Sequence, residues 1–161
     1  MTTPAVTTPD QFISSDISYS TTLLEYFDDM PQSYLISRLH EQGRDFFNKI
    51  ESAYAELVVK GLPTPFWIHR EYLELQSTFF KDQFQKVKQG SKLIVTVPSP
   101  DDFEPLLEYL YTGDGDKWYD SMNEDNWYDV YTNVEFLGLG IEARAICMAF
   151  YQNVILGDDL D

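Results

Sequence analysis

Three short runs of β-branched and aromatic residues limit how this chain of 161 residues can fold. They lie at residues 53–60, 66–68 and 93–97, and the first and third run into Gly or Pro residues that are typical of turns. Three strands of this length cannot enclose a core on their own, so they must form one small sheet that helices cover. The pattern predicts an α+β domain in which the first two strands form a hairpin and five or more helices cover the sheet.

Apolar residues follow helical spacing through most of the remaining chain. Pro31 suits the first position of a helix, and Gly43 predicts a break before a second helical segment. Ser77 or Thr78 can cap a helix where residues 70–88 divide into two. Further helices are predicted from residue 101 to Gly113, from Asn123 or Asp125 to Gly138, and over residues 141–156, with residues 114–122 as a polar and aromatic loop.

Charge is distributed unevenly along the chain, which has 11 Lys and Arg, 27 Asp and Glu, and a formal net charge of −16. Residues 31–92 carry nine bases and seven acids, whereas residues 101–135 carry eleven acids and a single base. Nucleic-acid binders and proteins held on anionic membranes need a positive face, so the composition argues against both classes. The acidic stretch is also rich in Tyr and Trp, which suits contact with a basic protein. The alternative is a solvated acidic face above aromatic side chains that point inwards.

Other features of the sequence limit the cellular compartment in which we expect the protein. The single cysteine, Cys147, excludes an intramolecular disulfide framework and a cysteine-based zinc site. The first 30 residues contain no Lys or Arg, so we expect no secretory signal or transit peptide. We therefore expect an intracellular protein, in the nucleus or the cytoplasm, with a disordered Thr/Ser/Pro-rich tail at residues 1–20 and an acidic tail at residues 157–161.

No catalytic constellation stands out in the sequence. It contains no Gly-rich phosphate loop, nucleophile elbow or HExxH motif. His69 lies where an apolar strand meets a helix, which favours a structural role, and Cys147 fits a small buried hydrophobic residue. The paired carboxylates Asp101/Asp102 and Asp114/Asp116 are better explained by helix capping than by cation binding. We expect no enzymatic activity, cofactor, metal or small-molecule substrate.

Three ordered motifs carry a resemblance to a known family. Residues 69–84 read HREYLELQSTFFKDQF, residues 106–113 read LLEYLYTG, and residues 135–139 read EFLGL, with Cys147 after them. Their order and spacing resemble those of BTB/POZ domains. The resemblance implies a BTB/POZ domain at residues 53–156, preceded by an N-terminal helical extension at residues 21–52 that some members exchange across a dimer.

The resemblance implies a protein-interaction module that self-associates as a homodimer and binds other proteins. In many members the module docks on a cullin scaffold as the adaptor of a ubiquitin ligase. Our candidate dimer-interface residues are Tyr34, Leu35, Leu39, Phe46, Phe47, Tyr54 and Leu73. Our candidate partner-binding residues are Leu106, Glu108, Tyr109, Trp118, Tyr119, Met122 and Glu124.

Two points stay open at this stage. The hydrophobic-any-Glu motif of the family's cullin surface is matched both by Leu106-Leu107-Glu108 and by Met122-Asn123-Glu124. The alternative function is that of a monomeric adaptor similar to elongin C or the F-box adaptors, which share the fold and bind one helix of a partner. Oligomeric state distinguishes the two functions.

Overall fold

The computed structural model describes residues 31–157. Its strands β1 (Ala55–Val59), β2 (Phe66–Ile68) and β3 (Lys92–Val95) form one sheet in the order β2-β1-β3. Strand β1 pairs antiparallel with β2 and parallel with β3, so the chain crosses over through helices between β2 and β3. The small sheet and its hairpin are thus confirmed. The tail predicted at residues 1–20, the first part of the extension at residues 21–30, and all but the first residue of the acidic tail predicted at residues 157–161 lie outside the described residues.

Helices account for most of the rest of the described chain. The α-helices are α1 (Gln32–Glu41), α2 (Gly43–Phe46), α3 (Arg70–Glu74), α4 (Thr78–Phe84), α5 (Phe103–Thr112), α6 (Gly115–Asp120), α7 (Trp127–Leu137) and α8 (Ile141–Phe150). Short 3₁₀ helices lie at Ile50–Ser52 and Pro100–Asp102, and a π-helix at Tyr151–Ile155 extends α8. No helix within residues 31–157 is long and apolar enough to cross a membrane.

One hydrophobic core joins the sheet to the helices. Along β1, buried and half-buried residues alternate, so one face of the sheet lies on the core. Helix α5 runs through the centre of the fold and buries six of its ten residues. Leu57, Ile68, Phe103 and Leu106 have no exposed surface. The sheet and α5 therefore hold the motifs of the sequence in fixed relative positions.

The predicted helix boundaries are confirmed where a cap sets them. The Ser77 hydroxyl accepts a hydrogen bond from the Phe80 N–H at 3.1 Å and donates one to the Leu137 carbonyl at 2.6 Å, so it caps the start of α4 and ties that helix to α7. Gly113 and Gly138 adopt left-handed conformations, with φ of 71° and 63°, at the ends of α5 and α7. These conformations are the reason why both helices end at glycine.

The loop predicted at residues 114–122 is wrong, because the chain there forms α6. The Asp114 carboxylate accepts a hydrogen bond from the Lys117 N–H at 3.0 Å and caps the helix. Only Trp118 of α6 is buried, so the segment has one anchor and no apolar periodicity. A pattern of apolar residues cannot reveal a helix that packs through a single side chain.

Two other boundaries differ from the prediction. Helix α7 begins at Trp127, because the Asn123 side chain accepts from the backbone N–H groups of Asp125 and Asn126 and forms a turn before the helix. The last helix remains α-helical only as far as Phe150 and then widens into the π-helix.

Candidate protein-interaction surfaces

Helix α1 is held against α3 and α5 by side-chain hydrogen bonds to backbone carbonyls. The Tyr72 hydroxyl donates to the Leu39 carbonyl at 2.7 Å, and His40 Nε2 donates to the Leu110 carbonyl at 3.2 Å. Gln76 also donates to the Leu110 carbonyl, at 2.6 Å. These bonds join α1 to α3 and α5, so residues 32–46 pack on the domain of their own chain.

The break predicted near Gly43 has a steric cause. A Cβ atom at Gly43 would lie 1.8 Å from the carbonyl oxygen of Tyr111, far inside van der Waals contact. Phe47 follows α2 and packs its ring edge-on against that of Tyr111, with centroids 5.4 Å apart. Only glycine lets α2 approach α5 closely enough for this contact.

A buried hydrogen-bond network joins β2, α3 and α5. The Tyr111 hydroxyl accepts from the His69 backbone N–H at 2.8 Å and lies 2.8 Å from His69 Nδ1. Because the hydroxyl can donate its proton only to Nδ1, the neutral ring carries its proton on Nε2 and donates it to Ser52 Oγ at 2.8 Å. Burial, and then the charge of Lys49, lower the pKa of His69 to about 4. His69 is therefore a neutral structural residue, as the sequence predicts.

Glu71 is the buried charge-bearing group of this region. Its side chain lies in the interior, and Oε2 has no hydrogen-bond partner within the described residues. Burial, with a smaller contribution from the charge of Glu74, raises the pKa of this carboxyl to about 7, although a hydrogen bond from the backbone acts in the opposite direction. A carboxylate in such a place costs free energy of folding when it ionises.

Five of the seven candidate dimer-interface residues form a partly uncovered layer on α1, on α2 and directly after α2. Tyr34 is 46% exposed, and no residue of α1 is fully buried although the helix contains several apolar side chains. Leu35, Leu39, Phe46 and Phe47 are half-buried. The ring of Phe46 lies edge-on to that of His69, with centroids 5.7 Å apart. The inner sides of these residues hold the helices in place, and residues 31–157 leave part of their outer sides uncovered.

The other two candidate dimer residues lie elsewhere. Tyr54 is half-buried at the start of β1, where its hydroxyl donates to the Val87 carbonyl at 3.2 Å and its ring lies 5.6 Å from the Arg70 guanidinium. Leu73 has no exposed surface, so it supports α3 from within the core. The structure therefore brings together five of the seven residues and separates these two.

A groove of about 460 Å³ runs beside α1. Apolar residues of α1, of the α3–α4 connection and of the α7–α8 turn line it, among them Ile36, Leu75, Leu139 and Ile141. Ile141 is 82% exposed, the highest value among the large apolar residues of the described chain. The groove extends the uncovered layer of α1 towards α8.

Most candidate partner-binding residues are buried in the single chain. Leu106, Tyr109, Trp118 and Met122 belong to the core, and the rings of Tyr109 and Trp118 stack with centroids 4.5 Å apart. Burial raises the pKa of Tyr109 to about 12. Such residues support the surface from within the core, but they expose little area that a partner could contact.

The remaining candidates of this group reach the surface. Glu108 is half-buried and forms an ion pair with Lys117 at 2.6 Å. Tyr119 is half-buried and packs edge-on against Phe150, with centroids 5.3 Å apart, and Glu124 is exposed between α6 and α7. Of the two hydrophobic-any-Glu motifs, only the second presents an exposed carboxylate without an ion pair within residues 31–157.

An aromatic cluster at the start of α7 was not among the candidates. The ring of Trp127 stacks on that of Tyr131 and tilts against those of Tyr128 and Tyr151. Its indole N–H donates to the Cys147 carbonyl at 2.8 Å, which fixes the ring. Tyr128 is 64% exposed. The signal available in the sequence was the spacing of Trp127, Tyr128 and Tyr131 on neighbouring turns of one helix.

The other chemically reactive groups serve the core. Cys147 is fully buried, and burial raises the pKa of its thiol to about 12, so it behaves as a small hydrophobic residue. Among residues 31–157, no three His, Cys, Asp or Glu side chains lie close enough to hold a metal ion. The prominent features of the described surface are apolar and acidic.

A small sheet covered by helices, with apolar side chains left uncovered on α1 and α7, is suited to contacts with other proteins. A family model of the BTB/POZ domain matches residues 44–140. Solved structures with a similar fold include the BTB domain of zebrafish PATZ1, with a TM-score of 0.52 and 20% sequence identity over 74% of this chain and 90% of that chain. A search of curated proteins finds no match.

The family match covers more than half of the chain, so the protein belongs to the BTB/POZ family. Members of this family are protein–protein interaction modules, and the protein is one of them. The predicted fold class, α+β with a small three-stranded sheet covered by helices, is confirmed by the structure and by both comparisons.

Proposed function

We propose that the protein is an interaction module that forms a homodimer through α1 and α2 and recruits other proteins to that dimer. The observation that carries the proposal is the incomplete burial of α1. A helix of ten residues has little stability of its own in water, and its stability comes from packing an apolar face. Among residues 31–157 that packing covers only one side, which leaves Tyr34 and the groove lined by Ile36 and Ile141 for a second chain.

The distribution of charge supports an interface in this half of the protein. Two copies with a net charge of −16 each repel one another. Residues 31–92, which include α1 and α2, carry nine bases and seven acids and are close to neutral. Association through this part of the chain keeps the acidic residues 101–135 out of the contact and reduces the repulsion.

Light scattering during size-exclusion chromatography of the full chain tests the dimer. We expect a mass near twice the 18.7 kDa of one chain. The double variant Tyr34→Glu/Leu35→Glu adds charge to the outer side of α1 and is expected to reduce the mass to that of one chain. The matched control, Tyr128→Glu on α7, is expected to keep the dimer mass. A wild-type mass of one chain would contradict the proposal and favour a monomeric adaptor that binds one partner helix.

Docking on a cullin scaffold is a second candidate function. It is favoured by the exposed Glu124 in the motif Met122-Asn123-Glu124, which lies in the connection between α6 and α7. The N-terminal domain of a cullin is the probe, and calorimetry measures its binding. We expect Glu124→Gln to weaken that binding severalfold and Glu51→Gln, another exposed acid, to leave it unchanged. Absence of binding by the wild-type chain would exclude this function without affecting the dimer.

A further inference from the structure

The Trp127 surface, formed by Trp127, Tyr128, Tyr131 and Tyr151, is an aromatic patch with a fixed geometry. Its ring centroids lie 4.9 to 6.2 Å from that of Trp127. The hydrogen bond from the indole to the Cys147 carbonyl leaves Trp127 little freedom to rotate. Tyr151 begins the π-helix, a form of helix that occurs frequently at functional sites. Rigid aromatic side chains of this kind are the residues that dominate binding energy at protein interfaces.

Acidic residues surround this patch in the chain. Asp120 at the end of α6, Glu124 and Asp125 before α7, and Asp129 on α7 are all exposed. None of them forms an ion pair within residues 31–157. The two bases nearest in sequence are already engaged, Lys117 with Glu108 at 2.6 Å and Arg144 with Glu135 at 3.0 Å. The surface thus combines aromatic rings with uncompensated negative charge.

Cations of the protein itself lie against other rings. Within the described chain, cation–π contacts pair Arg38 with Tyr34, Lys49 with Phe46, and Arg70 with Tyr54 and Phe84. The Trp127 surface has no such contact among residues 31–157. Its aromatic rings, and the carboxylates next to them in sequence, are nevertheless groups that attract a guanidinium. Arginine suits them better than lysine, because its planar group stacks on a ring and pairs with a carboxylate at once.

We propose that the Trp127 surface binds an arginine-rich segment of a partner protein. The arginine side chains stack on Tyr128 and Tyr131 and pair with the carboxylates of Glu124 and Asp125. The inference rests on the protein being an interaction module but not on the dimer. It also gives a physical role to the acidic stretch, because negative charge accelerates encounter with a basic partner and the aromatic residues supply the specific contact.

Fluorescence polarisation with a labelled peptide of repeated Arg-Ala-Leu triplets tests the proposal on the full chain. We expect binding that weakens about three- to tenfold in Tyr128→Ala, whose side chain is too exposed to matter for folding. We expect a similar loss in Glu124→Gln/Asp125→Asn, together with a smaller dependence on salt. The same peptide with lysine in place of arginine is expected to bind severalfold more weakly.

Two matched controls separate a specific site from general attraction to an acidic protein. The double variant Glu51→Gln/Asp82→Asn removes the same two charges from exposed positions elsewhere, and Tyr34→Ala removes an exposed tyrosine from α1. Both are expected to bind the peptide as the wild type does. Equal losses in the two double variants, full affinity of Tyr128→Ala, or no binding by the wild type would overturn the proposal.

Light scattering on the same samples keeps this proposal distinct from the dimer. A wild-type dimer that fails to bind the arginine peptide would overturn only the role of the Trp127 surface. A wild-type monomer that binds the peptide with the expected losses in Tyr128→Ala would overturn only the dimer.

Discussion

At the scale of single residues, the centre of the domain depends on polar groups that work as a set. The Tyr111 hydroxyl serves both the backbone and the ring of His69, and that ring reaches Ser52. The rings of Tyr72 and Tyr111 stack with centroids 4.4 Å apart, and the Tyr72 hydroxyl holds α1. Each of these polar groups has a hydrogen-bond partner, and these bonds offset the free-energy cost of removing the groups from water. Glu71 differs, because its Oε2 has no hydrogen-bond partner within the described residues, which is also true of the buried indole N–H of Trp118.

The raised pKa of Glu71 predicts a specific dependence of stability on pH. Its pKa is about 7 in the folded state and 4.5 when unperturbed, so between these values the folded state holds a proton that the unfolded chain has released. Folding stability from this group therefore falls as pH rises from about 4.5 to about 7, by on the order of 3 kcal/mol. We expect Glu71→Gln to stabilise the protein at pH 8 and to lose that advantage near pH 4.5.

Urea unfolding of the wild type and Glu71→Gln across this range measures the difference. His69 acts in the opposite direction, because its pKa is lowered from 6.5 to about 4 and stability falls as pH drops through that window. Comparison with the wild type at each pH removes the contribution of His69. Gln83→Ala, a half-buried control that removes no titratable group, is expected to show a difference that does not vary with pH. A constant difference for Glu71→Gln as well would contradict the raised pKa.

At the scale of elements, the packing of α1 and α2 on the rest of the domain tolerates the least change, because it needs a close approach of two backbones. Helix α2 meets α5 at Gly43, where the backbones touch without an intervening side chain. The bonds from Tyr72, Gln76 and His40 then hold the end of α1 and the facing carbonyl of α5. The docking of both helices, and with it the surface proposed for the dimer, depends on this close approach.

We expect Gly43→Ala to destabilise the protein by about 2 kcal/mol or more and to expose α1 and α2 to protease, because the added Cβ collides with the Tyr111 carbonyl. Urea unfolding and limited proteolysis measure the two effects. Gly140→Ala is the control, since a Cβ there meets no atom within 4 Å and the φ of −77° suits alanine. Equal stability of Gly43→Ala and the wild type would show that α2 can move away from α5 without cost.

The helices illustrate how far local pattern goes. The boundaries at Ser77, Gly113 and Gly138 follow from capping chemistry that acts over three or four residues, so the sequence predicts them correctly. Helix α6 escaped prediction because its stability comes from the stacking of Trp118 on Tyr109, a contact between two elements. Asp114 is a residue type that caps helices, but a capping residue does not predict a helix when no periodic apolar face follows it in the sequence.

At the scale of the whole molecule, net charge opposes compactness. A net charge of −16 on 161 residues makes like charges repel across the folded surface. Five ion pairs among residues 31–157 add local attraction but leave the net charge unchanged, and four of them include at least one side chain more than one-third exposed. Such exposed pairs contribute little stability.

We therefore expect the melting temperature at pH 7 to rise by a few degrees between low salt and about 0.3 M NaCl, because salt screens the repulsion more than it weakens the few ion pairs. Thermal unfolding followed by circular dichroism measures it. The quadruple variant Asp120→Asn/Glu124→Gln/Asp125→Asn/Asp129→Asn removes four unpaired charges and is expected to show a smaller rise. A melting temperature that falls with salt would mean that the ion pairs outweigh the repulsion.

The candidate surfaces show where sequence reasoning ends. Helical spacing placed Tyr34 and Leu35 on α1. The resemblance to the family also led to the candidates Leu73, Leu106 and Trp118, which the fold buries. Helical spacing tells which residues share a face of one helix, and it cannot tell which of those faces another element covers. For the same reason, only the packing of α8 against Trp127 shows that Tyr128 lies on an exposed edge of α7.

By itself, the sequence determined most of the elements, many of their ends and the family, because periodicity, caps and ordered motifs are local properties of the chain. Only the tertiary structure decided the strand order β2-β1-β3, the helix at Gly115–Asp120, the close approach at Gly43 and the isolation of Glu71. Each of these depends on contacts between residues far apart in sequence. Such contacts fix burial, and burial decides which side chains a partner can reach and which carboxylates hold their protons.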